Sequence, residues 1–113
     1  MPARLLIVDD EPAIARTIAR LLRQYELAVE TDSLAAHARL AAGEHFDGLV
    51  TDYNMPNLKG DQLCHFVLAS RPTVRVGMIS GSPPDDLDPR ITLLLKPFGN
   101  AALLQFIREL VGG

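Results

Sequence analysis

Apolar residues follow two different periods along this chain. Five short stretches are apolar without alternation or nearly so: Arg4-Leu5-Leu6-Ile7-Val8, Leu27–Thr31, Phe46–Thr51, Thr73–Ile79 and Thr92–Leu95. Continuous apolar runs of this length predict strands buried on both faces, as in a parallel sheet under helices. Between them the spacing turns helical. Ile14, Ile18, Leu21, Leu22 and Tyr25 form one stripe after Glu11-Pro12, a pair that favours a first helical turn. Asp32-Ser33 is an N-cap signal for a helix from Leu34 to about Ala42, with Gly43 at its C-terminus. A third helix is predicted from about Asp61 to Ala69, with Leu63, Phe66 and Val67 inward and Pro72 as its stop. A last one runs from about Asn100 to Val111 and carries Leu103, Leu104, Ile107 and Leu110. Strands alternating with helices predict a doubly wound α/β sheet.

Four of the strand runs end in polar residues: Asp9-Asp10, Asp52, Ser80 and Lys96-Pro97. Ligands of open α/β sheets bind outside the carboxyl ends of the strands. Three carboxylates, a hydroxyl and an ammonium therefore belong at one edge. Two carboxylates about 4 Å apart repel by roughly 4 kcal/mol at an effective dielectric of 20. Such a group calls for a counter-charge, and a hard divalent cation with oxygen ligands supplies it. Mg²⁺, which takes one or two carboxylates plus water and phosphate oxygens, suits the set. Each residue alone has a plainer reading as a turn former or cap. The combination is what carries chemistry.

The same residues resemble the receiver domain of two-component response regulators over essentially the whole chain. The acidic pair Asp9-Asp10, the sequence Asp52-Tyr53-Asn54-Met55-Pro56 followed by Gly60, Ser80-Gly81, and Lys96-Pro97 match that family's motifs. The resemblance implies a flavodoxin-like five-stranded parallel sheet of order 2-1-3-4-5. It implies Mg²⁺ as cofactor, held directly by Asp10, mostly through water by Asp9, and by Asp52 and the backbone carbonyl of Asn54. Asp52 would be the phosphorylated nucleophile, with Ser80 and Lys96 taking phosphoryl oxygens and a cis bond before Pro97. The donor would be a histidine kinase or histidine phosphotransfer protein, docking by Ile14, Ala15 and Ile18 with Pro97, Phe98 and Gly99. The product would switch a protein–protein interaction. Receivers catalyse both their own phosphorylation and their dephosphorylation without being conventional enzymes. Asn54 and Ser82, both small, leave room for water and suggest fast hydrolysis.

The chain departs from the family in two places. Residues 81–91, between the fourth and fifth strands, contain Pro83, Pro84 and Pro89 with Asp85, Asp86 and Asp88. Proline costs about 3 kcal/mol inside a helix. The helix that receivers place here should be missing or reduced to a turn near Asp85–Asp88. Leu93 also stands where receivers often carry Tyr or Phe. Losing the helix should uncover apolar sheet around Leu93 and favour a homodimer or partner contact there. In the competing arrangement, residues 81–91 fold back as a cap.

Composition narrows the rest. The chain has 113 residues, 48% of them hydrophobic and 22% charged, which is one domain (1–113) with an ordinary core. Net charge is −3 without a basic cluster, which argues against nucleic-acid binding. The single Cys64 has no internal disulfide partner and reads as a small buried side chain; a reducing cytoplasm fits. Acidic residues interrupt the N-terminal apolar run, so no signal peptide is expected, and no apolar stretch is long enough to span a membrane. No linker or output domain is expected after the last helix, as in a stand-alone or excised receiver. Two other functions use parts of the same pattern. A receiver-like interaction or dimerisation module would work without phosphorylation. A haloacid-dehalogenase-type phosphohydrolase needs a second Asp where Asn54 stands.

Overall fold

The computed structural model describes residues 2–112 and contains five strands and four helices. The strands are β1 (Arg4–Val8), β2 (Glu26–Glu30), β3 (Gly48–Asp52), β4 (Arg75–Ser80) and β5 (Thr92–Leu95). The helices are α1 (Pro12–Leu21), α2 (Ser33–Ala41), α3 (Gly60–Ser70) and α4 (Asn100–Gly112). All strand pairs are parallel, in the order β2-β1-β3-β4-β5. The register sets Val8 beside Thr51, Asp52 beside Ile79 and Ser80 beside Leu95. These pairings bring the polar strand ends to one edge.

Two cores form because adjacent strand residues face opposite sides. One contains Leu6, Val8, Leu49, Val76 and Met78 with Ala36 and Leu40 of α2 and Leu63, Cys64 and Val67 of α3. The other contains Leu5, Ile7, Val50 and Ile79 with Ile18 of α1 and Leu103, Phe106, Ile107 and Leu110 of α4. Within α3 the inward set is Leu63, Cys64 and Val67, while Phe66 is only half-buried. Cys64 is the small buried side chain expected. Gly77 admits α4 closely: a Cβ there would lie 2.7 Å from Phe106 Cζ.

Strand β3 begins two residues later than its apolar pattern suggests. Phe46 is buried but lies before the ladder. The guanidinium groups of Arg4 and Arg39 stand over its ring, 4.6 and 5.8 Å from the centroid. Hydrophobicity alone does not distinguish such a plug from a strand residue.

Residues 81–91 contain no helix, as their prolines require. They do cover the sheet. Ile91 is buried in the α2–α3 core, and Leu87 and Leu93 pack half-buried against it. Arg90 grips Asp88 through Nη2 at 2.8 Å and through its backbone N–H at 2.9 Å. The apolar surface expected to lie open around Leu93 is thus largely capped. Leu95, at 56% exposure, is what stays bare on β5.

Candidate functional site

Asp9 follows β1, Asp52 ends β3 and Asp10 opens the turn into α1. Oxygens of the three carboxylates lie within 4.8 Å of one another. Asp9 is 3% exposed; its Oδ1 accepts the Glu11 N–H at 2.9 Å. Burial pushes its carboxyl up to about 6, and the neighbouring Asp52 and Asp10 add to that, against the Glu11 hydrogen bond and Lys96.

The cation of the site is Lys96. Its Nζ donates to Asp52 Oδ1 at 3.0 Å. Burial opposes its charge, but the hydrogen bond and ion pair with Asp52 outweigh that and hold the ammonium above its ordinary pKa. Its backbone N–H donates to the Ser80 carbonyl at 3.0 Å, so β5 fixes ammonium and hydroxyl together. The bond from Lys96 to Pro97 is cis. Ser80 is buried, and its oxygen accepts the Ser82 N–H at 3.0 Å, which leaves the hydroxyl proton free to donate.

The loop between Asp52 and α3 carries Asn54, whose side chain is exposed. Met55 anchors the loop in the core. Gly60 closes it: its N–H donates to the Tyr53 carbonyl at 2.9 Å, and a Cβ there would run into the Asp52 carbonyl. The glycine therefore lets α3 start hard against the strand end. Asp9, Asp10, Asp52 and Lys96 are in one cluster, with Ser80 held beside it through β5. Ser33 also holds this loop. Its hydroxyl donates to the Pro56 carbonyl at 2.8 Å and accepts the Leu58 N–H at 3.0 Å. In sequence it reads only as half of a capping pair.

The donor set fits Mg²⁺: three carboxylates with oxygens within 4.8 Å of one another, beside a lysine that supplies only one positive charge.

A 2-1-3-4-5 parallel sheet with an acidic cluster, a hydroxyl and a lysine at its carboxyl edge defines a flavodoxin-like α/β protein whose polar groups gather where such sheets carry their sites. The chain belongs to the response regulator receiver domain family, whose model matches residues 5–108. The transcriptional regulatory protein CutR of Streptomyces coelicolor is 30% identical over 117 residues, covering 95% of this chain and 52% of CutR. A response regulator receiver protein of Anaeromyxobacter is 35% identical over 85 residues, 74% of this chain and 35% of that protein. The chain thus spans about half, or less, of the length of these relatives. Among solved structures, chemotaxis response regulator CheY4 of Vibrio cholerae superposes with a TM-score of 0.83 at 23% identity, covering 97% of this chain and 99% of that one. A CheY-like receiver of Methanospirillum hungatei gives 0.87 at 23%, covering 99% and 95%. Both structural likenesses concern the fold. No helix among the described residues is long and apolar enough to cross a membrane.

Proposed function

We propose that Asp52 is the phosphoacceptor of this receiver, and that Asp9, Asp10, Asp52 and the Asn54 carbonyl hold Mg²⁺. The observation that carries this reading is the Lys96 Nζ contact at 3.0 Å with an Asp52 carboxylate that two further carboxylates crowd. A bound Mg²⁺ would offset the negative charge gathered on the transferring phosphoryl oxygens.

The Asp52 carboxylate attacks the phosphorus of a phosphohistidine in line. A P–O bond forms, the P–N bond breaks, and its electron pair returns to the imidazole of the donor. Lys96 moves from the carboxylate to one phosphoryl oxygen and the Ser80 hydroxyl donates to another. In hydrolysis a water oxygen attacks the same phosphorus, the P–O bond to Asp52 breaks with its electron pair returning to the carboxylate, and inorganic phosphate leaves carrying the water's protons. Asn54 and Ser82, exposed at the rim, leave that water a path and support a short phosphoryl lifetime.

Intact mass spectrometry after incubation with Mg²⁺ and acetyl phosphate tests the reading. One phosphoryl adduct is expected, absent from Asp52→Asn and absent in EDTA. An adduct that persists in Asp52→Asn would refute the assignment.

On this reading residues 1–113 act as one cytoplasmic receiver unit that takes its phosphoryl group from a histidine kinase or phosphotransfer protein, with no nucleic-acid or membrane contact of its own. A homodimer or partner contact at β5 would use Leu95 beside half-buried Leu93. Sedimentation should then show a heavier species that Leu95→Asp abolishes. A monomer at every concentration, phosphorylated or not, would exclude the homodimer.

A further inference from the structure

The α2 N-terminus carries two short polar residues, and they do different work. Asp32 caps the helix by accepting the Leu34 N–H at 2.9 Å. The Ser33 hydroxyl is therefore not needed as a cap. It is buried, at 2% exposure, and directed across to a loop more than twenty residues away.

Its two partners bracket Asn57. The Pro56 carbonyl accepts from the hydroxyl and the Leu58 N–H donates to it. Asn57 has φ 71°, a left-handed conformation that side chains other than glycine adopt at some cost and that Asn tolerates better than most. Ser33 thus ties together the two peptide groups on either side of the strained residue. The same loop carries Asn54, three residues before Asn57. It also walls a polar cleft of about 260 Å³ lined by Asp10, Thr31, Asp32, Ser33, Pro56 and Asn57. One side of that cleft is a metal-ligand candidate, and the other is the loop that Ser33 latches.

We propose that Ser33 is a positioning residue for the cation site, holding the β3–α3 loop so that the Asn54 carbonyl and Asp10 face one ion. The proposal rests on the cation-binding reading above. Groups behind the direct ligands commonly change metal affinity by about tenfold or more when removed.

The test is calorimetric titration with Mg²⁺ of the unphosphorylated protein, together with NMR hydrogen exchange of the Leu58 amide in EDTA. Ser33→Ala should weaken Mg²⁺ binding about tenfold and lower Leu58 protection, because that amide loses its acceptor. Leu110→Ala serves as a destabilised control, because it removes core packing on the opposite face of the sheet. It should leave Mg²⁺ affinity within about twofold of the parent. A Ser33→Ala protein that binds Mg²⁺ as the parent does would overturn the proposal, as would an equal loss in Leu110→Ala. Fast exchange of the Leu58 amide in the parent would do so without any variant. A parent that binds no Mg²⁺ would overturn this proposal and the cation-binding reading together.

Discussion

Asp9 is a carboxylate kept where its charge is unwelcome. Its folded-state pKa of about 6 lies above its unfolded value, so the folded state holds the proton more tightly. Ionising it as pH rises from about 4 through 6 costs the metal-free fold on the order of 2–3 kcal/mol by pH 7. Asp9→Asn, neutral throughout, should therefore match the parent near pH 4 and exceed it by about that amount at pH 7 in EDTA. Urea denaturation at a series of pH values checks this; a constant difference would mean Asp9 is not the group responsible. Saturating Mg²⁺ should narrow the gap by stabilising the parent. The strand-end residues were legible in the sequence, because identity plus position at a strand end defines what they can reach. Ser33 was not. Its partners lie 23 and 25 residues away in a loop whose path no periodicity reports.

Among the elements, residues 81–91 show how far local chemistry can be read. Three prolines exclude a helix, and none forms. Whether the segment leaves the sheet bare depends instead on Leu87 and Ile91, two apolar residues too few to show a period. Ile91 is 5% exposed, so burial of its side chain supports both the cap and β5. Ile91→Ala should destabilise by about 2–4 kcal/mol in urea denaturation. A loss below about 1 kcal/mol would mean that the segment does not hold to the sheet in solution. Strand β3 starts later than its apolar run for a related reason: Phe46 is as apolar as a strand residue, yet serves as a plug beneath two arginines.

Across the whole molecule, charge is divided between neutralised and unneutralised regions. Glu44 accepts from Arg4 and Arg39, each at 2.8 Å, while Arg39 also reaches Glu30 at 3.1 Å. The Glu44 carbonyl accepts from Arg71 at 2.6 Å. This network ties β1, β2, α2 and the end of α3 together. The hydrogen bonds from Arg39 and then Arg4 hold the Glu44 carboxyl down at about 2. Its contribution is present above its unfolded pKa and is lost as pH falls from about 4.5 towards 2. Glu44→Gln should accordingly be less stable than the parent at pH 7, and the two should converge in acid. A gap that persists at pH 2 would show that Glu44 acts through packing alone. The carboxyl edge of the sheet does the reverse, keeping Asp9, Asp10 and Asp52 together with one lysine. Fold class, strand order and the acidic edge could all be anticipated from sequence, since each follows from short-range pattern or family motif. The Glu44 network could not, because its partners come from four elements.

The connection between β4 and β5 has a further consequence, in chain entropy. Parallel strands are usually joined by a crossover of a dozen or more residues, and here residues 81–91 suffice. Loop closure grows only logarithmically with length, so doubling this connection at the exposed Asp85–Asp86 turn would cost about 0.6 kcal/mol. Ser80 and Lys96 are joined directly by a backbone hydrogen bond and would keep their registry. The crossover can therefore lengthen, or acquire a structured insert, at small thermodynamic expense while the chemistry at its two ends stays fixed.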